Sequence, residues 1–286
     1  FLPFLVVSYV VTHGYVQKVT IDGTECTGPA VASGSTDGII REISTQDPIK
    51  GAKNPDLTCG PGALAASKVA NVEPGSSISF LWTGANGSPW PHNVGPMMTY
   101  LTNCGDQSCT EYDPKSTEWF KIEEAGKTDG TWAQAALMSG AAAKVTLPSN
   151  LAAGNYIIRH EIIALHNAQA EGGAEFYASC TQLKVGGSGT GTPSSSDLVQ
   201  LPGAYSDTDP GILIDVYSDS QNDSYTFPGP PVVDFGGGGT SSSSKGICRL
   251  KKHTGTNDTA AHTKRKAVVR HVARFLCGLD FFFRKH

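Results

Sequence analysis

One apolar stretch carries two histidines and a glutamate whose side chains could do chemistry. It reads Arg-His-Glu-Ile-Ile-Ala-Leu-His from Arg159 to His166, and its β-branched and large apolar residues predict a mostly buried strand. His160 and His166 share one face of a straight strand, but six residues at about 3.3 Å each separate them by roughly 20 Å. They cannot bind the same metal ion. We therefore expect one histidine to serve a site at the strand end and the other to be structural.

A third histidine, His13, follows the apolar residues 1–12 and begins the segment His-Gly-Tyr-Val-Gln. Residues 1–12 are too few to span a bilayer and predict the end of a signal peptide; the alternative is a buried first strand. Cleavage after Thr12 would give His13 a free α-amine. Such an amine, with a pKa of roughly 7.7–8, yields its proton to a cation and can chelate a metal together with the ring Nδ1. Taken alone, a histidine here would be an ordinary exposed residue.

A fourth histidine, His92, lies just before Gly95-Pro96 and a Tyr100-Leu segment. By itself it would be interpreted as a loop histidine bonded to the backbone.

The elements that must position these residues are strands joined by long loops. Among the 286 residues, 33 are glycine and 17 are proline, which favours a loop-rich β protein. Val16–Ile21 alternates as a strand does, Asp22-Gly23 predicts a turn, and Ser77–Trp82 predicts a further strand. The adjacent Glu123 and Glu124 would point to opposite faces of a strand, so we interpret them as solvated.

The chain has an uneven charge. Its net charge is −4, but residues 245–286 hold 11 Lys and Arg against 2 Asp and Glu, which leaves −13 on the rest. An acidic body argues against nucleic acid as a partner and suits a neutral substrate. Charged residues make up 17% of the chain, below the usage of about 25% typical of soluble proteins.

The central stretch, continued by Gly173-Ala-Glu175-Phe-Tyr177 and Cys180, strongly resembles the fungal lytic polysaccharide monooxygenases of auxiliary-activity family nine. The segments around His13 and His92 extend the resemblance. So do the closing segments 201–217 and 225–230, and together they cover about residues 13–232.

The resemblance implies a fold and an activity. We expect an all-β fold, an immunoglobulin/fibronectin-like antiparallel β-sandwich with long loops that carry a flat binding face. The expected activity is copper-dependent oxidative cleavage of cellulose or a related β-1,4-glucan, with oxygen or hydrogen peroxide. The expected electron donor is a small-molecule reductant or cellobiose dehydrogenase, and we expect a secreted monomer.

The resemblance also assigns the site residues. His13 and His92 would bind copper equatorially, Tyr177 axially, and His166 and Glu175 would handle the reduced oxygen species beside it. Three nitrogens without a thiolate suit Cu(II) and also zinc, and the resemblance selects copper. Tyr217 would lie on the sugar with Tyr205 and Tyr225 behind it, although each tyrosine alone is as readily a core aromatic.

Glu175 departs from the glutamine that this family most often has two residues before the axial tyrosine. An amide donates a hydrogen bond, whereas an ionised carboxylate only accepts. We therefore expect Glu175 to titrate, so that activity follows its proton occupancy.

Two other functions stay open. A hydrolytic endoglucanase would need two carboxyl groups about 5–10 Å apart, and no motif offers such a pair. A non-catalytic cellulose-binding protein would keep the tyrosines without the metal site.

Seven cysteines in a secreted chain imply disulfides and one leftover thiol. Cys104 and Cys109 flank a short loop and could pair, and the resemblance implies Cys59 with Cys180. Cys26 has no obvious partner. Asn86-Gly-Ser88 is an N-glycosylation sequon, a weak motif by itself.

The domain prediction has four parts: a partial signal peptide (1–12), the monooxygenase domain (13–232), a Gly/Ser linker (233–244) and a basic tail (245–286). The tail lacks the spaced cysteines and aromatics of a cellulose-binding module. A basic amphipathic helix over Lys264–Cys277 could bind a membrane surface; a gene-model error such as a translated intron is the alternative.

Overall fold

The computed structural model describes residues 13–218 and 224–235. Regular structure in this part of the chain is mostly β-strand. The strands are β1 (Gly14–Ile21), β2 (Thr24–Thr27), β3 (Ala70–Val72), β4 (Ser77–Gly84), β5 (Met97–Asn103), β6 (Glu118–Ala125), β7 (Lys127–Thr128), β8 (Thr131–Trp132), β9 (Ala143–Thr146), β10 (Gly154–Ala164), β11 (Glu175–Val185) and β12 (Val199–Gln200). The helices of the described residues are short 3-10 segments at Pro55–Thr58, Ala85–Gly87, Pro114–Ser116, Ala133–Ser139 and Ser195–Asp197. None of them has the length and apolar character needed to cross a bilayer.

Two sheets form the sandwich. One has the strand order β2-β1-β4-β9 and the other β12-β6-β5-β10-β11-β3, while β7 and β8 form a separate hairpin. Neighbouring strands are antiparallel except β11 and β3, which are parallel. The predicted antiparallel β-sandwich of immunoglobulin-like type, with long loops, is confirmed.

The turn predicted at Asp22-Gly23 joins β1 to β2, because Ile21 pairs directly with Thr24. Both turn residues have positive φ, 46° and 86°. This is the geometry of a two-residue hairpin that matches the twist of the flanking strands.

The long central strand β10 is buried on both faces, which explains its nearly continuous apolar sequence. One face packs against the four-stranded sheet, where His160 contacts the rings of Phe80 and Trp82. The other face is covered by loops and carries Arg159 and Glu161, both fully buried. The prediction of a mostly buried strand is confirmed.

The polar groups on the loop-covered face of β10 are paired with one another. Arg159 donates to Glu161 Oε1 at 2.6 Å and, through Nε and a terminal nitrogen, to the Leu57 carbonyl at 2.9 and 2.7 Å. Tyr205 donates to Glu161 Oε2 at 2.7 Å, and Tyr100 lies 2.8 Å from the Tyr205 hydroxyl. This network fixes loops that are distant in sequence onto the sheet, because an unpaired buried charge would be strongly destabilising.

Two disulfides close the predicted pairs, Cys59–Cys180 and Cys104–Cys109. The first links residues 121 apart and attaches the 3-10 segment Pro55–Thr58 to β11. Cys26 is the free cysteine of the described residues, while Cys248 and Cys277 lie outside them. Asn86 of the sequon is exposed in the segment Ala85–Gly87.

The solvated interpretation of Glu123 and Glu124 is wrong. Glu123 accepts a hydrogen bond from Thr99, and burial raises its pKa to about 7. Glu124 accepts one at 2.9 Å from the ammonium of Lys121, whose side chain is fully buried. The β5–β6 register shifts between Thr99 and Tyr100, and this bulge places Lys121 and Glu124 on the same face.

The packed domain extends three residues beyond the predicted boundary at 232. The Val233 amide donates to the Lys121 carbonyl at 2.8 Å, and the Phe235 ring lies edge-on to Phe120 at 5.9 Å. The predicted linker therefore begins no earlier than residue 236. The rest of that linker, the predicted signal peptide and the basic tail, including Lys264–Cys277, lie outside the described residues.

Candidate metal centre

One end of the sandwich gathers the strand ends that carry the candidate site residues. The pairing of β10 with β11 sets Ala164 opposite Glu175 and Ile162 opposite Tyr177. Glu175 and Tyr177 therefore begin β11 beside the end of β10, where His166 follows.

The loop that carries His92 is hydrogen-bonded to the same strand end. The Leu165 amide donates to the Val94 carbonyl, and the Ile163 amide donates to the Pro96 carbonyl at 3.1 Å. Gly95 between them has φ of 130°, and a Cβ there would collide with the carbonyl oxygen of Ile163. The Gly-Pro motif thus allows the loop to approach β10 closely enough to place His92 beside His166.

Three side chains converge at this strand end. His92 Nε2 and His166 Nε2 lie 3.7 and 3.8 Å from Glu175 Oε2, and candidate ligand atoms of the three residues all lie within 4.8 Å of one another. The two imidazole rings are stacked, with centroids 4.4 Å apart and planes 14° apart.

Tyr177 is buried next to the cluster and donates a hydrogen bond to Glu175 Oε2 at 2.9 Å. Burial and the neighbouring carboxylate of Glu175 raise the Tyr177 pKa well above its ordinary value. Burial opposes ionisation of Glu175, but hydrogen bonds from Lys50 and Tyr177 lower its pKa below the usual range. The pair therefore consists of a neutral phenol and a carboxylate at neutral pH.

Lys50 is a site residue that the sequence did not indicate. Its ammonium donates to Glu175 Oε1 at 3.1 Å and to the Gly173 carbonyl at 3.2 Å. The backbone places it there, because Ile49 and Phe176 exchange two amide-to-carbonyl hydrogen bonds of 2.9 and 3.1 Å. Residue 50 lies in a loop 125 positions before Glu175, and no local pattern marks that pairing.

His13 lies at the start of β1, but its ring is not part of the three-residue cluster. Its Nδ1 donates to Asp47 Oδ1 at 2.8 Å. Hydrogen bonds from Thr45 and then from His13 lower the Asp47 pKa. Asp47 in turn helps to raise the Tyr177 pKa through its charge. Asp47 is the second residue that sequence reasoning missed.

An aromatic and amide framework supports His92 and Tyr177. The Trp90 ring lies edge-on to His92 and Tyr177, with centroids 5.3 and 4.8 Å apart. Its indole donates to Gln134 Oε1 at 3.2 Å, and Gln134 donates to the Ile163 carbonyl at 3.2 Å. These contacts fix the two ring positions before any ligand binds.

His160 is structural. It is 1% exposed and accepts a hydrogen bond at 3.0 Å from the Trp82 indole. Burial and then the charge of Arg159 lower its pKa to about 3, so the ring is neutral. The expectation that one of the two histidines, His160 and His166, is structural is confirmed.

The three tyrosines expected near the substrate differ in accessibility. Tyr217 is 57% exposed. Tyr205 is 5% exposed and its hydroxyl donates to Glu161, so its side chain belongs to the buried network, as in the alternative of a core aromatic. Tyr225 is partly buried, and its hydroxyl donates to the Gly211 carbonyl at 2.6 Å, which holds the segment that leads to Tyr217.

The donor set can be judged against metal preferences. Imidazole nitrogens with carboxylate and phenol oxygens, and no thiolate, are ligands that Cu(II) and Zn²⁺ accept. The residues present therefore fit a late first-row divalent ion, without selecting copper over zinc.

Comparison with known proteins points to one family. The profile of Auxiliary Activity family 9 (formerly GH61) matches residues 13–225, beginning at His13. AA9 family lytic polysaccharide monooxygenase D of Gloeophyllum trabeum is 49% identical over 243 residues, which are 80% of this chain and 70% of the relative. The corresponding enzyme B of Heterobasidion irregulare is 40% identical over 234 residues, 78% of this chain and 92% of the relative.

Solved structures give the same result. The crystal structure of HiLPMO9B superimposes with a TM-score of 0.68 at 38% identity, covering 77% of this chain and 99% of that one. A cellulose-active polysaccharide monooxygenase from M. thermophila superimposes with a TM-score of 0.69 at 33% identity, with the same two coverages.

Proposed function

Because the chain belongs to Auxiliary Activity family 9, the lytic polysaccharide monooxygenases, we propose that it cleaves cellulose or a related β-1,4-glucan with a copper ion in the site at the strand ends. Membership makes the chain an oxidoreductase that cleaves polysaccharides. Copper, the glucan and the oxidant, oxygen or hydrogen peroxide, are the proposed specifics.

The observation that carries this proposal is the convergence of His92, His166, Glu175 and Tyr177 at one strand end, in a chain whose family match begins at His13. A glycosidase would instead need two carboxyl groups across a cleft. Glu175 is the one carboxylate of this cluster, and it is paired with Lys50.

We propose that His13, His92 and Tyr177 hold the copper. Cleavage before His13 would free its α-amine, and this amine, its Nδ1 and a His92 nitrogen would supply the three nitrogens. The His13 Nδ1 donates to Asp47 in the uncleaved chain, so metal binding must compete with that carboxylate. Copper, when bound, supplies the one-electron chemistry that activates the oxidant.

His166 and Glu175 have different tasks in this proposal. Glu175 Oε2 accepts a hydrogen bond from the Tyr177 hydroxyl, and its charge keeps the phenol neutral and its oxygen fixed. His166 has 27% of its side chain exposed, and its Nε2 lies 3.8 Å from Glu175 Oε2. His166 is therefore the group placed to move a proton between the site and solvent.

Tyr217 is the proposed sugar contact, because an exposed phenol ring can stack on a pyranose while its hydroxyl bonds to the sugar. The cellulose activity in the name of the M. thermophila relative supports cellulose as the first substrate to test. Disulfides persist in oxidising compartments, and the two present support secretion. The proposed electron donor is a small-molecule reductant or cellobiose dehydrogenase.

The test is N-terminal sequencing of the secreted protein, followed by copper titration and mass spectrometry of the products from cellulose. We expect a first residue of His13, one tightly bound copper ion and oxidised chain ends. Unoxidised oligosaccharides would indicate an endoglucanase, and binding of cellulose without copper or products would indicate a non-catalytic binding protein. An active copper enzyme that retains residues 1–12 would contradict the proposed ligand set.

A further inference from the structure

A cleft of about 610 Å³ lies at the end of the sandwich opposite the metal centre. Tyr156 at the start of β10 lines it, whereas Ala164 ends the same strand beside His166. Eight residues of strand at about 3.3 Å each separate the two by roughly 26 Å. The cleft is therefore a separate feature, and the volume lies within the range of small-molecule sites, about 300–1,000 Å³.

The walls of the cleft are apolar inside and polar at the rim. Phe120, Tyr156 and Thr102 are buried, while Tyr112, Pro193 and Leu198 are partly exposed. The exposed lining residues carry amide, hydroxyl and carboxylate groups; they are Asn103, Ser116, Glu118, Thr192 and Gln200.

Two of the rim residues are fixed relative to each other. Glu118 on β6 pairs directly with Gln200 on β12, and directly opposed residues of an antiparallel pair carry side chains about 5 Å apart on one face. The two paired strands therefore place a carboxylate beside an amide. The carboxylate of Glu118 only accepts hydrogen bonds, whereas the amide of Gln200 both donates and accepts them.

The charge of the lining excludes one class of ligand. The lining contains no Lys, Arg or His, and Glu118 is its one charged residue. A phosphate, sulfate or carboxylate would find no cation there and would meet a like charge. A neutral ligand with apolar faces and several hydroxyls fits both parts of the wall, and a pyranose has that character.

We propose that this cleft is a second glycan-binding site that takes a short segment of a neutral β-linked glycan. Pyranose C–H faces would lie against the partly exposed Tyr112 and Leu198, and the sugar hydroxyls would bond to Glu118 and Gln200. The choice of a glycan rests on the proposed function, since a polysaccharide-cleaving enzyme meets such chains. A weak second site raises the overall affinity for a polymer through effective concentration.

The test uses the full chain, isotope-labelled and without metal or reductant, titrated with cellotetraose and followed by NMR. We expect saturable shifts at amides of β6, β12 and residues 192–198, separate from any shifts near Tyr217. The double variant Glu118→Ala with Gln200→Ala should weaken cellotetraose binding at the cleft at least tenfold, since both rim partners are lost. Glu111→Ala, which removes an exposed carboxylate outside the lining, should leave it unchanged.

A charged oligosaccharide of similar length provides the second part of the test. Tetragalacturonate carries a carboxylate on each sugar and should not bind, because the lining offers no cation. Shifts confined to the Tyr217 end, equal binding of the double variant, or equal binding of tetragalacturonate would each overturn the proposal. The second site and the proposed function can fail separately. If the protein oxidises cellulose but cellotetraose causes no NMR shifts around the cleft, only the second site is refuted. If cellotetraose binds in the cleft but cellulose is not oxidised, only the proposed activity is refuted.

Discussion

The Lys50 ammonium lies 3.1 Å from Glu175 Oε1, while the other oxygen of that carboxylate accepts a 2.9 Å hydrogen bond from the Tyr177 hydroxyl. Both partners donate, so both carboxylate oxygens are acceptors and Glu175 is held ionised. The expectation that activity follows the proton occupancy of Glu175 stays a prediction, and the lowered pKa of this carboxyl moves any such dependence toward lower pH.

Lys50→Met should therefore strengthen binding of a divalent cation to the centre by a few-fold. The substitution removes a positive charge beside the candidate ligands and leaves the Glu175 carboxylate uncompensated. The measurement is a calorimetric titration with Cu²⁺ and with Zn²⁺ at fixed salt. Lys53→Met, which removes an exposed lysine of the same loop, is the control, and equal changes in the two variants would show that only net charge matters.

His92→Ala should abolish most of the copper affinity, because it removes one of the three proposed nitrogen ligands. His160→Gln should retain the affinity but lower the free energy of unfolding by about 1–3 kcal/mol, since the Trp82 indole loses a buried partner. Copper titration and urea unfolding of both variants separate the two roles. A copper-deficient His160→Gln protein with normal stability would reverse our assignment.

Glu123→Gln should stabilise the protein in a pH-dependent way. The folded-state pKa of Glu123 is raised from 4.5 to about 7, so the unfolded chain releases this proton first, and stability falls as the pH rises from about 4.5 to 7. Replacement by a neutral amide should leave stability unchanged near pH 4 and raise it by up to about 3 kcal/mol at pH 8.

The neighbouring variant Glu124→Gln is the control for that experiment, and we expect it to destabilise the protein. It leaves the ammonium of the buried Lys121 without its carboxylate, so we expect a loss of roughly 1–3 kcal/mol at pH 8. Chemical unfolding at pH 4, 6 and 8 gives both results. Parallel pH profiles for Glu123→Gln and the parent chain would contradict the buried state of Glu123.

A chain that ends at Phe235 should fold and bind copper as the full chain does, because the packing contacts of the described residues continue to that position. A chain that ends at Val232 should melt at a lower temperature, since it loses the Val233–Lys121 hydrogen bond and the Phe235–Phe120 contact. Calorimetry of the two truncations measures the difference. Unfolding of the longer one would make residues 236–286 part of the domain.

Tyr217→Ala should weaken binding to cellulose several-fold with unchanged stability, because it removes an exposed ring and no buried contact. Tyr205→Phe should leave cellulose binding unchanged and lower the stability, because Glu161 loses a buried 2.7 Å hydrogen bond. Loss of a hydrogen bond to a charged group lowers the free energy of unfolding by about 1.5–3 kcal/mol. Pull-down on cellulose and thermal unfolding are the paired measurements. Normal cellulose binding by Tyr217→Ala would move the sugar contact elsewhere.

The strand pattern, the composition and the local motifs were enough to predict a loop-rich β protein, the turn at Asp22-Gly23 and the structural role of one of the two histidines, while the sandwich followed from the family resemblance. The family resemblance supplied the grouping of His92, His166, Glu175 and Tyr177. Asp47 and Lys50 could not be found in this way, because loop-to-strand pairing such as Ile49 with Phe176 leaves no periodic signal in sequence.

The partial burial of Glu123 escaped prediction for a related reason, whereas the core position of Tyr205 was an alternative that the sequence had left open. Composition favours exposed carboxylates, and only the three-dimensional neighbour Thr99 shows that Glu123 is partly enclosed. A one-residue bulge in β6 decided which of two adjacent glutamates faces Lys121, and the sequence contains no glycine or proline that marks it.

The two-sided burial of β10 limits how this enzyme can be altered by directed evolution. A substitution on one face disturbs the packing around His160, and one on the other disturbs the Arg159–Glu161 network. A shift of the strand by one residue would exchange the two faces completely. Libraries that randomise the loops around His92 and Tyr217 should therefore yield folded variants with new substrate preferences, whereas libraries of β10 should yield mainly protein that fails to fold.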